Sequence, residues 1–348
     1  GALGALGAAW WLWGAGEVAG GEGEGRSARG RGAPGADPTP ASAPAAAAPL
    51  EAHFAFVRSV ADGTTLPALL PGLQARVHEL ADVGELTARL RTGGLSPEEK
   101  LHTWGALKER AFVRALGGMW AAVLLVVLCR VQLCILGRHM YVESRGGGSS
   151  RAGGGSGAPS LDPNLQQAFL ACAEDFCRRG AGLVVERMER AARGTVGHIG
   201  LDGDFRLPEA IGALAFLSAT FEADATARGW TELLVREPAL VQEGPSGGGV
   251  GEMMEELRAI TGTPAFSAAI RAATQAAAQR VSVAVAESFG DNPELPFAKV
   301  VPAVARASQG LFNDPEGLAR SVAGTPEVER LCAEVFSTVP GEAANGTH

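Results

Sequence analysis

The six histidines are the residues best suited to acid–base catalysis or metal binding, and their spacing supports neither. No two of them lie three or four residues apart, so none share one turn of a helix, and the HExxH pattern of zinc enzymes is absent. The GxSxG nucleophile elbow and the GxxxxGK[ST] phosphate loop are absent too. An enzymatic function therefore has no candidate residue, and we expect no cofactor and no bound metal. The histidines are His53, His78, His102, His139, His198 and His348.

The five cysteines form two close pairs and one single residue. In each pair the cysteines are five residues apart, which places them on different faces of a helix and does not make a metal-binding knuckle. We therefore expect reduced thiols that pack as small apolar groups, as in proteins exposed to the cytosol. The cysteines are Cys129, Cys134, Cys172, Cys177 and Cys332.

Composition predicts an all-α protein that does not bind nucleic acid. The net charge of -8 and the pI near 5.4 come without any basic stripe, which a nucleic-acid surface needs. Aromatic residues make up only 6% of the chain, and the β-branched runs of a sheet are scarce. With 348 residues, the chain is long enough to bury a sizeable core.

The elements that must position any site are helices. Ser96 and Glu99 flank Pro97 as a predicted capping box, and a long helix should start there. The pair Gly117 and Gly118 predicts a bend or a close-packing point within it. We find no clear strand and no repeat. Further helices are predicted from Asp162-Pro163 onward and over 207–236, 252–260, 264–289, 295–312 and 326–338.

Three stretches rich in glycine divide the chain. Gly, Ala and Pro dominate residues 20–48, which cannot bury enough apolar surface to fold. Residues 145–160 should form a flexible loop, and residues 243–251 a weaker break. The predicted organisation is a partial membrane anchor at 1–16, a low-complexity linker at 17–50, and a helical bundle at 51–340.

The first sixteen residues carry no charge and include an aromatic cluster. Trp10, Trp11 and Trp13 lie near one end of this segment, as aromatic residues do at a membrane interface. Sixteen residues make a marginal span, and the chain starts with glycine, so we expect the natural start and part of the targeting signal to be missing. The segment is interpreted as the surviving half of an anchor, with a disordered leader as the alternative.

The apolar run 115–137 could be a membrane span or the centre of a bundle. Its uncharged part, 115–129, would reach roughly 22 Å as a helix, against ~30 Å of hydrocarbon. A longer span would place Arg130 and Gln132 in lipid, which costs about 2.5 to 3.5 kcal/mol for the arginine alone. We predict a central helix of a bundle. A polytopic membrane protein is the alternative.

The segment from Lys100 to Ser144 resembles the signature helix of the peroxin-3 family. The matching elements are W-x-x-L-K at 104–108, the core LLVVL-x-R-V-Q-L at 124–133, and the exit with Tyr141 and Glu143. Later segments agree in order, beginning at Asn164, Glu252, Leu295 and Glu327. The resemblance extends over roughly residues 54–339. Residues 20–48 depart from the family, which has a charged, largely helical approach to the bundle there, and indicate a flexible tether or an error in the gene model.

The resemblance implies a fold, a location and a partner. The fold is a twisted all-α bundle of about six long helices, held by one N-terminal span in the peroxisomal membrane and facing the cytosol. Passage through the endoplasmic reticulum is one route to that membrane. The implied function is to dock the import receptor and chaperone peroxin-19 during membrane-protein insertion and peroxisome biogenesis. No enzymatic activity is implied.

The resemblance also implies a docking site. A helix at the N-terminus of peroxin-19 would bury its apolar face in a groove at the end of the bundle away from the membrane. Leu101, Trp104 and Lys108 fall on one helix face. Periodicity alone favours Trp104 as a core residue, whereas the resemblance places it in the groove. A helical adaptor for another partner would not depend on it. The matching positions are Leu90, Lys100, Leu101, Trp104, Leu107 and Lys108.

Overall fold

The computed structural model describes residues 47–146, 163–201, 203–236 and 248–337. The predicted anchor at 1–16, the predicted linker up to residue 46 and residues 147–160 of the predicted loop lie outside this part of the chain. The predicted boundaries of these segments therefore stay predictions.

The described residues form an all-α bundle with one very short sheet, which confirms the predicted fold class. In the first half of the chain the helices are α1 (Ala47–Val60), α2 (Leu66–Leu80), α3 (Gly84–Thr92), α4 (Pro97–Gly146), α5 (Pro163–Asp175) and α6 (Ala181–Gly194). In the second half they are α7 (Leu207–Arg228), α8 (Trp230–Leu234), α9 (Gly248–Thr261), α10 (Pro264–Phe289), α11 (Phe297–Arg306), α12 (Gln309–Asn313), α13 (Pro315–Ala323) and α14 (Pro326–Ser337). Single π-helical turns join α1 to α2 (Ala61–Thr65) and α5 to α6 (Phe176–Gly180), and a 3₁₀ turn (Val196–His198) follows α6.

The long helix α4 begins at the predicted capping box. The Glu99 amide donates to Ser96 Oγ at 3.2 Å, and the Ser96 amide donates to Glu99 Oε2 at 2.8 Å. These bonds satisfy N–H groups that have no partner within the helix, and the bond from the Ser96 amide lowers the pKa of Glu99. The start of α4 is therefore determined locally.

Helix α4 runs through the centre of the bundle. Residues 115–138 are buried on every side, with α1, α2, α6, α10, α11 and α14 packed around the helix. Within the described chain α4 is the one helix long and apolar enough to cross a membrane, but its most apolar stretch lies wholly inside the protein. This packing supports the prediction of a central bundle helix over the polytopic alternative.

The polar residues of the apolar run have protein partners. Arg130 Nη2 lies 2.5 Å from Asp62 Oδ2, and Gln132 Nε2 donates to the Phe169 carbonyl at 2.8 Å. The π-helical turn after α1 pairs with Arg130 and helix α5 bonds Gln132, so part of the polar surface of both side chains is satisfied within the bundle, while Arg130 Nε and Gln132 Oε1 are buried without a bonded partner among the described residues.

Two glycines of α4 let neighbouring segments of the chain approach closely. A Cβ atom on Gly118 would lie 3.0 Å from Ser308 Oγ, and one on Gly137 would lie 2.6 Å from Val57 Cγ2. The helix continues through Gly118. Of the two outcomes predicted for the glycine pair, the structure therefore shows close packing.

The sequence-based element boundaries needed three corrections. The prediction that the chain has no strand was wrong, because β1 (Asp204–Arg206) pairs antiparallel with β2 (Glu294–Pro296). Three residues are too few for an alternating pattern to be seen. The helix predicted over 207–236 breaks at Gly229, whose φ of 90° favours glycine. The helix predicted over 295–312 is a strand followed by α11 and α12.

All five cysteines are buried free thiols, as predicted. Burial raises the pKa of Cys172 to about 11 and the pKa of Cys177 to about 12. Thiols with these pKa values stay protonated at neutral pH and pack as apolar groups.

Candidate docking surface at the start of the long helix

Helix α3 turns back onto the first turns of α4 through two glycines. Gly93 and Gly94 have φ values of 73° and 79°, which residues with a side chain rarely adopt. The turn lets α3 pack along the start of α4. Leu86 and Leu90 of α3 lie half-buried against the core in this contact. Helix α3 and the first turns of α4 together form one end of the bundle.

Leu101 and Trp104 give this end an accessible apolar surface. Leu101 is 58% exposed, one of the few large apolar side chains so open among the described residues. Trp104, one turn further along, is half-buried and packs against the core with part of its indole accessible. Lys100 beside them is exposed. An aromatic side chain that is supported from below and partly open to solvent is a suitable anchor for a partner.

Leu107 and Lys108 lie beneath this surface. They are 5% and 3% exposed, so neither side chain is accessible to a partner in this conformation. Burial lowers the pKa of Lys108, an effect that nearby Glu109 opposes. Of the six predicted positions, Lys100 and Leu101 are exposed, Leu90 and Trp104 are half-buried, and Leu107 and Lys108 are covered.

Gly105 is a feature of this surface that the sequence prediction missed. Gly105 lies one helical turn after Leu101 and one turn before Glu109, and it is half-buried. A Cβ atom at this position would meet nothing within 4 Å. Glycine within a helix costs about 1 kcal/mol relative to alanine, so its presence inside a strongly helical pattern could have drawn attention. The missing side chain leaves a notch beside Leu101 and Trp104.

On the first turns of α4, the helix face opposite Leu101 and Trp104 is charged. Arg110 Nη1 donates to Glu189 Oε1 at 2.7 Å, and the carboxylate of Asp82 lines the same cleft. A partner that buries an apolar helix face suits the side with Leu101 and Trp104 better, because burial of carboxylates without partners costs free energy.

In the part of the chain that the structure describes, no group of three or more His, Cys, Asp or Glu side chains is arranged to hold a metal ion. The accessible groups at this end are the apolar side chains of Leu101 and Trp104 and the ammonium group of Lys100, which suit apolar contact with a charged rim.

Comparison with known proteins points to the same helix. The family model described as Peroxin-3 matches residues 93–146, which span the turn after α3 and the whole of α4. This match and the relatives below confirm the resemblance to the peroxin-3 family that the α4 sequence indicates.

The relatives are similar over a limited part of the chain. Peroxisome biogenesis protein 3-1 of Arabidopsis thaliana is 34% identical over 147 residues, 41% of this chain and 40% of the plant protein. Peroxisomal biogenesis factor 3 of Bos taurus is 29% identical over 150 residues, and that of Homo sapiens 28% over 150 residues, in both cases 43% of this chain and 38% of the relative. The matched part thus spans about two fifths of the length of these curated relatives.

Proposed function

We propose that this chain acts in peroxisome biogenesis as a docking protein of the peroxin-3 type. It binds the amphipathic N-terminal helix of peroxin-19 at the surface formed by Leu90, Lys100, Leu101 and Trp104. This docking contributes to the insertion of peroxisomal membrane proteins. The role requires no catalysis. The observation that carries the proposal is the accessible pair Leu101 and Trp104 on the first turns of the helix that matches the family.

The binding mode follows from the surface. An amphipathic helix that lies along the start of α4 would cover Leu101 and the open part of Trp104 and would enter the notch at Gly105. Removal of this apolar area from water supplies the binding free energy, at roughly 25 cal/mol per Å² before the costs of association. Lys100 at the rim would contribute mainly to orientation, because exposed charges are screened by solvent.

The location of the surface in the bundle supports the proposal. Helix α1 packs on the far part of α4, where His53 Nε2 lies 3.0 Å from the Gly137 carbonyl. Trp104 lies 33 residues before Gly137 on the same helix, which corresponds to about 50 Å. If the segment before α1 anchors the chain in the peroxisomal membrane, the docking surface points away from that membrane into the cytosol.

The test is the substitution Trp104→Ala, measured by titration of a peroxin-19 N-terminal peptide and by thermal unfolding of the same sample. We expect a loss of at least about 2 kcal/mol of binding free energy, roughly thirtyfold in affinity, because a desolvated aromatic anchor is removed. The free energy of unfolding should fall by only about 1.5 kcal/mol, because the indole is half-buried in the free protein.

Phe216→Ala is the matched control. Phe216 on α7 is 63% exposed, so its loss removes an accessible aromatic side chain outside the proposed surface. The Phe216→Ala variant should bind the peptide with the same affinity as the parent chain. If Trp104→Ala binds the peptide as tightly as the parent, or melts so far below it that little folded protein remains, Trp104 is not a docking residue.

A parent chain that does not bind the peptide at all contradicts the choice of partner. The bundle would then act as an adaptor for a different protein.

A further inference from the structure

The ammonium group of Lys108 is held by the connector that follows α6. Lys108 Nζ donates to the Gly197 carbonyl at 2.9 Å and to the Ile199 carbonyl at 2.6 Å. The side chain is only 3% exposed. Burial of an ammonium group is expensive unless its donors are bonded, and here two donors bond main-chain carbonyls directly. The contact therefore links two segments about 90 residues apart in the sequence.

These bonds fix where the connector lies. A helical side chain leans toward the N-terminus of its helix, so Lys108 reaches back along α4 toward the turn that contains Trp104 and Gly105. Gly197 also lies against α4, because a Cβ atom there would be 3.1 Å from Glu109 Oε1. The backbone of residues 197–199 thus runs beside the face that carries the accessible apolar residues.

The connector brings apolar side chains with it. Ile199 and Leu201 are half-buried and pack against the core, with part of each side chain accessible. They belong to the short link between α6 and β1, whose described residues contain one 3₁₀ turn and no longer helix. Such a link depends on tertiary contacts for its position.

We infer that Lys108 is a positioning residue of the docking surface, and that the connector it holds, residues 196–201, forms the second wall of the groove opposite Leu101 and Trp104. This inference rests on the proposed function. Lys108 does not contact the partner. Its bond to the Ile199 carbonyl fixes the backbone that carries the second wall, and Gly105 forms the floor between the two walls.

The test compares Lys108→Met with Lys108→Arg. Methionine keeps a long unbranched stem and removes the donors, whereas arginine restores donors that can reach carbonyls. Peptide affinity and amide hydrogen exchange of residues 196–201 are measured on the full chain. We expect Lys108→Met to bind the peroxin-19 peptide about tenfold more weakly and to exchange faster at these amides, with Lys108→Arg recovering part of both. Lys299→Met, at an exposed lysine on α11, should change neither.

A second variant keeps the inference testable if Lys108→Met does not fold. Ile199→Ser leaves the Ile199 carbonyl and its bond to Lys108 in place and removes only the wall side chain. We expect about tenfold weaker peptide binding with unchanged exchange of residues 196–201.

Two results would overturn the inference. If exchange of residues 196–201 is unchanged in Lys108→Met, this residue does not hold the connector. If exchange rises while Lys108→Met and Ile199→Ser bind as tightly as the parent, the connector is not a wall. A parent chain that fails to bind the peptide contradicts the proposed function instead, and exchange in the free chain still decides whether Lys108 holds the connector.

Discussion

His53 of α1 contacts the carbonyl of Gly137 on α4, with 3.0 Å between Nε2 and the oxygen. The histidine is 2% exposed, so this contact lies within the core. It attaches the first described helix to one end of the bundle, while Leu101 and Trp104 occupy the other. The first turns of α1 therefore lie at the end of the bundle opposite the proposed docking surface.

This polarity leads to a prediction about topology. If residues 1–16 contribute to an anchor in the peroxisomal membrane, the bundle should be accessible from the cytosol. Protease added to intact organelles should digest the bundle, while an enzyme of the peroxisomal matrix remains protected. Digestion of the bundle only after detergent is added would reverse the proposed orientation.

The notch at Gly105 predicts a steric block. Gly105→Leu places a side chain in open space, so the fold should keep its stability or gain slightly from the better helix propensity of leucine. The same side chain would fill the floor of the groove and should weaken binding of the peroxin-19 peptide by at least about tenfold, or 1.4 kcal/mol.

Gly212→Leu is the matched control for this block. Gly212 lies on the exposed face of α7, and a Cβ atom there would also meet nothing within 4 Å. Peptide titration and chemical denaturation of both variants separate a local block from a general effect. Equal affinities of the two variants would place the partner elsewhere.

Gly137 and Gly117, at two distant points of α4, should respond oppositely to substitution by alanine. Gly137→Ala puts a Cβ atom 2.6 Å from Val57 Cγ2 and 3.4 Å from a ring carbon of Phe336, and the overpacking should cost about 2 kcal/mol of unfolding free energy. Gly117→Ala meets only Val185 Cγ2 at 3.6 Å and should be neutral or stabilise by up to about 1 kcal/mol. Urea denaturation measures both. A Gly137→Ala variant as stable as Gly117→Ala would show that α1 and α14 do not pack this closely on α4.

The buried pair of Arg138 and Glu256 predicts a dependence of stability on pH. Arg138 is 4% exposed and bonds both carboxylate oxygens of Glu256 as well as the Val335 carbonyl, at 2.8 Å. Burial alone would raise the pKa of Glu256, but hydrogen bonds from His139 and Arg138 outweigh it and hold the pKa below its ordinary value of 4.5. The ionised carboxylate therefore stabilises the fold at neutral pH, and this contribution is lost as pH falls through the lowered pKa.

Glu256→Gln tests this contribution. At pH 7 the substitution leaves a buried guanidinium without its charged partner and should cost about 2 kcal/mol, less than for a fully enclosed pair because Glu256 is 22% exposed. Below pH 4.5 the difference from the parent should shrink, because the unfolded parent binds a proton at this carboxylate before the folded parent does, and the difference is lost once the folded carboxylate is protonated as well. Denaturation curves at several pH values give the difference directly. A cost that stays constant down to pH 3 would mean that the charge of Glu256 does not stabilise the bundle.

Some features were determined by the sequence because their causes are local. The start of α4 depends on Ser96 and Glu99, which lie within one turn of each other, and the structure has the predicted bonds. The bounds of α10 were predicted to the residue, since Pro264 favours a first turn and Gly290 a stop. Amino-acid types and helical periodicity were also enough for the all-α class and for the buried thiols.

The tertiary structure alone decided which surfaces face protein and which face solvent. The run 115–137 has the same composition whether it meets lipid or other helices, and only the helices around it make it a core. Trp104 and Lys108 share a helix face in the sequence pattern, yet one is partly open and the other is covered. The reason is that the carbonyls of Gly197 and Ile199, about 90 residues away, bond Lys108, and helical periodicity contains no information about contacts at that separation.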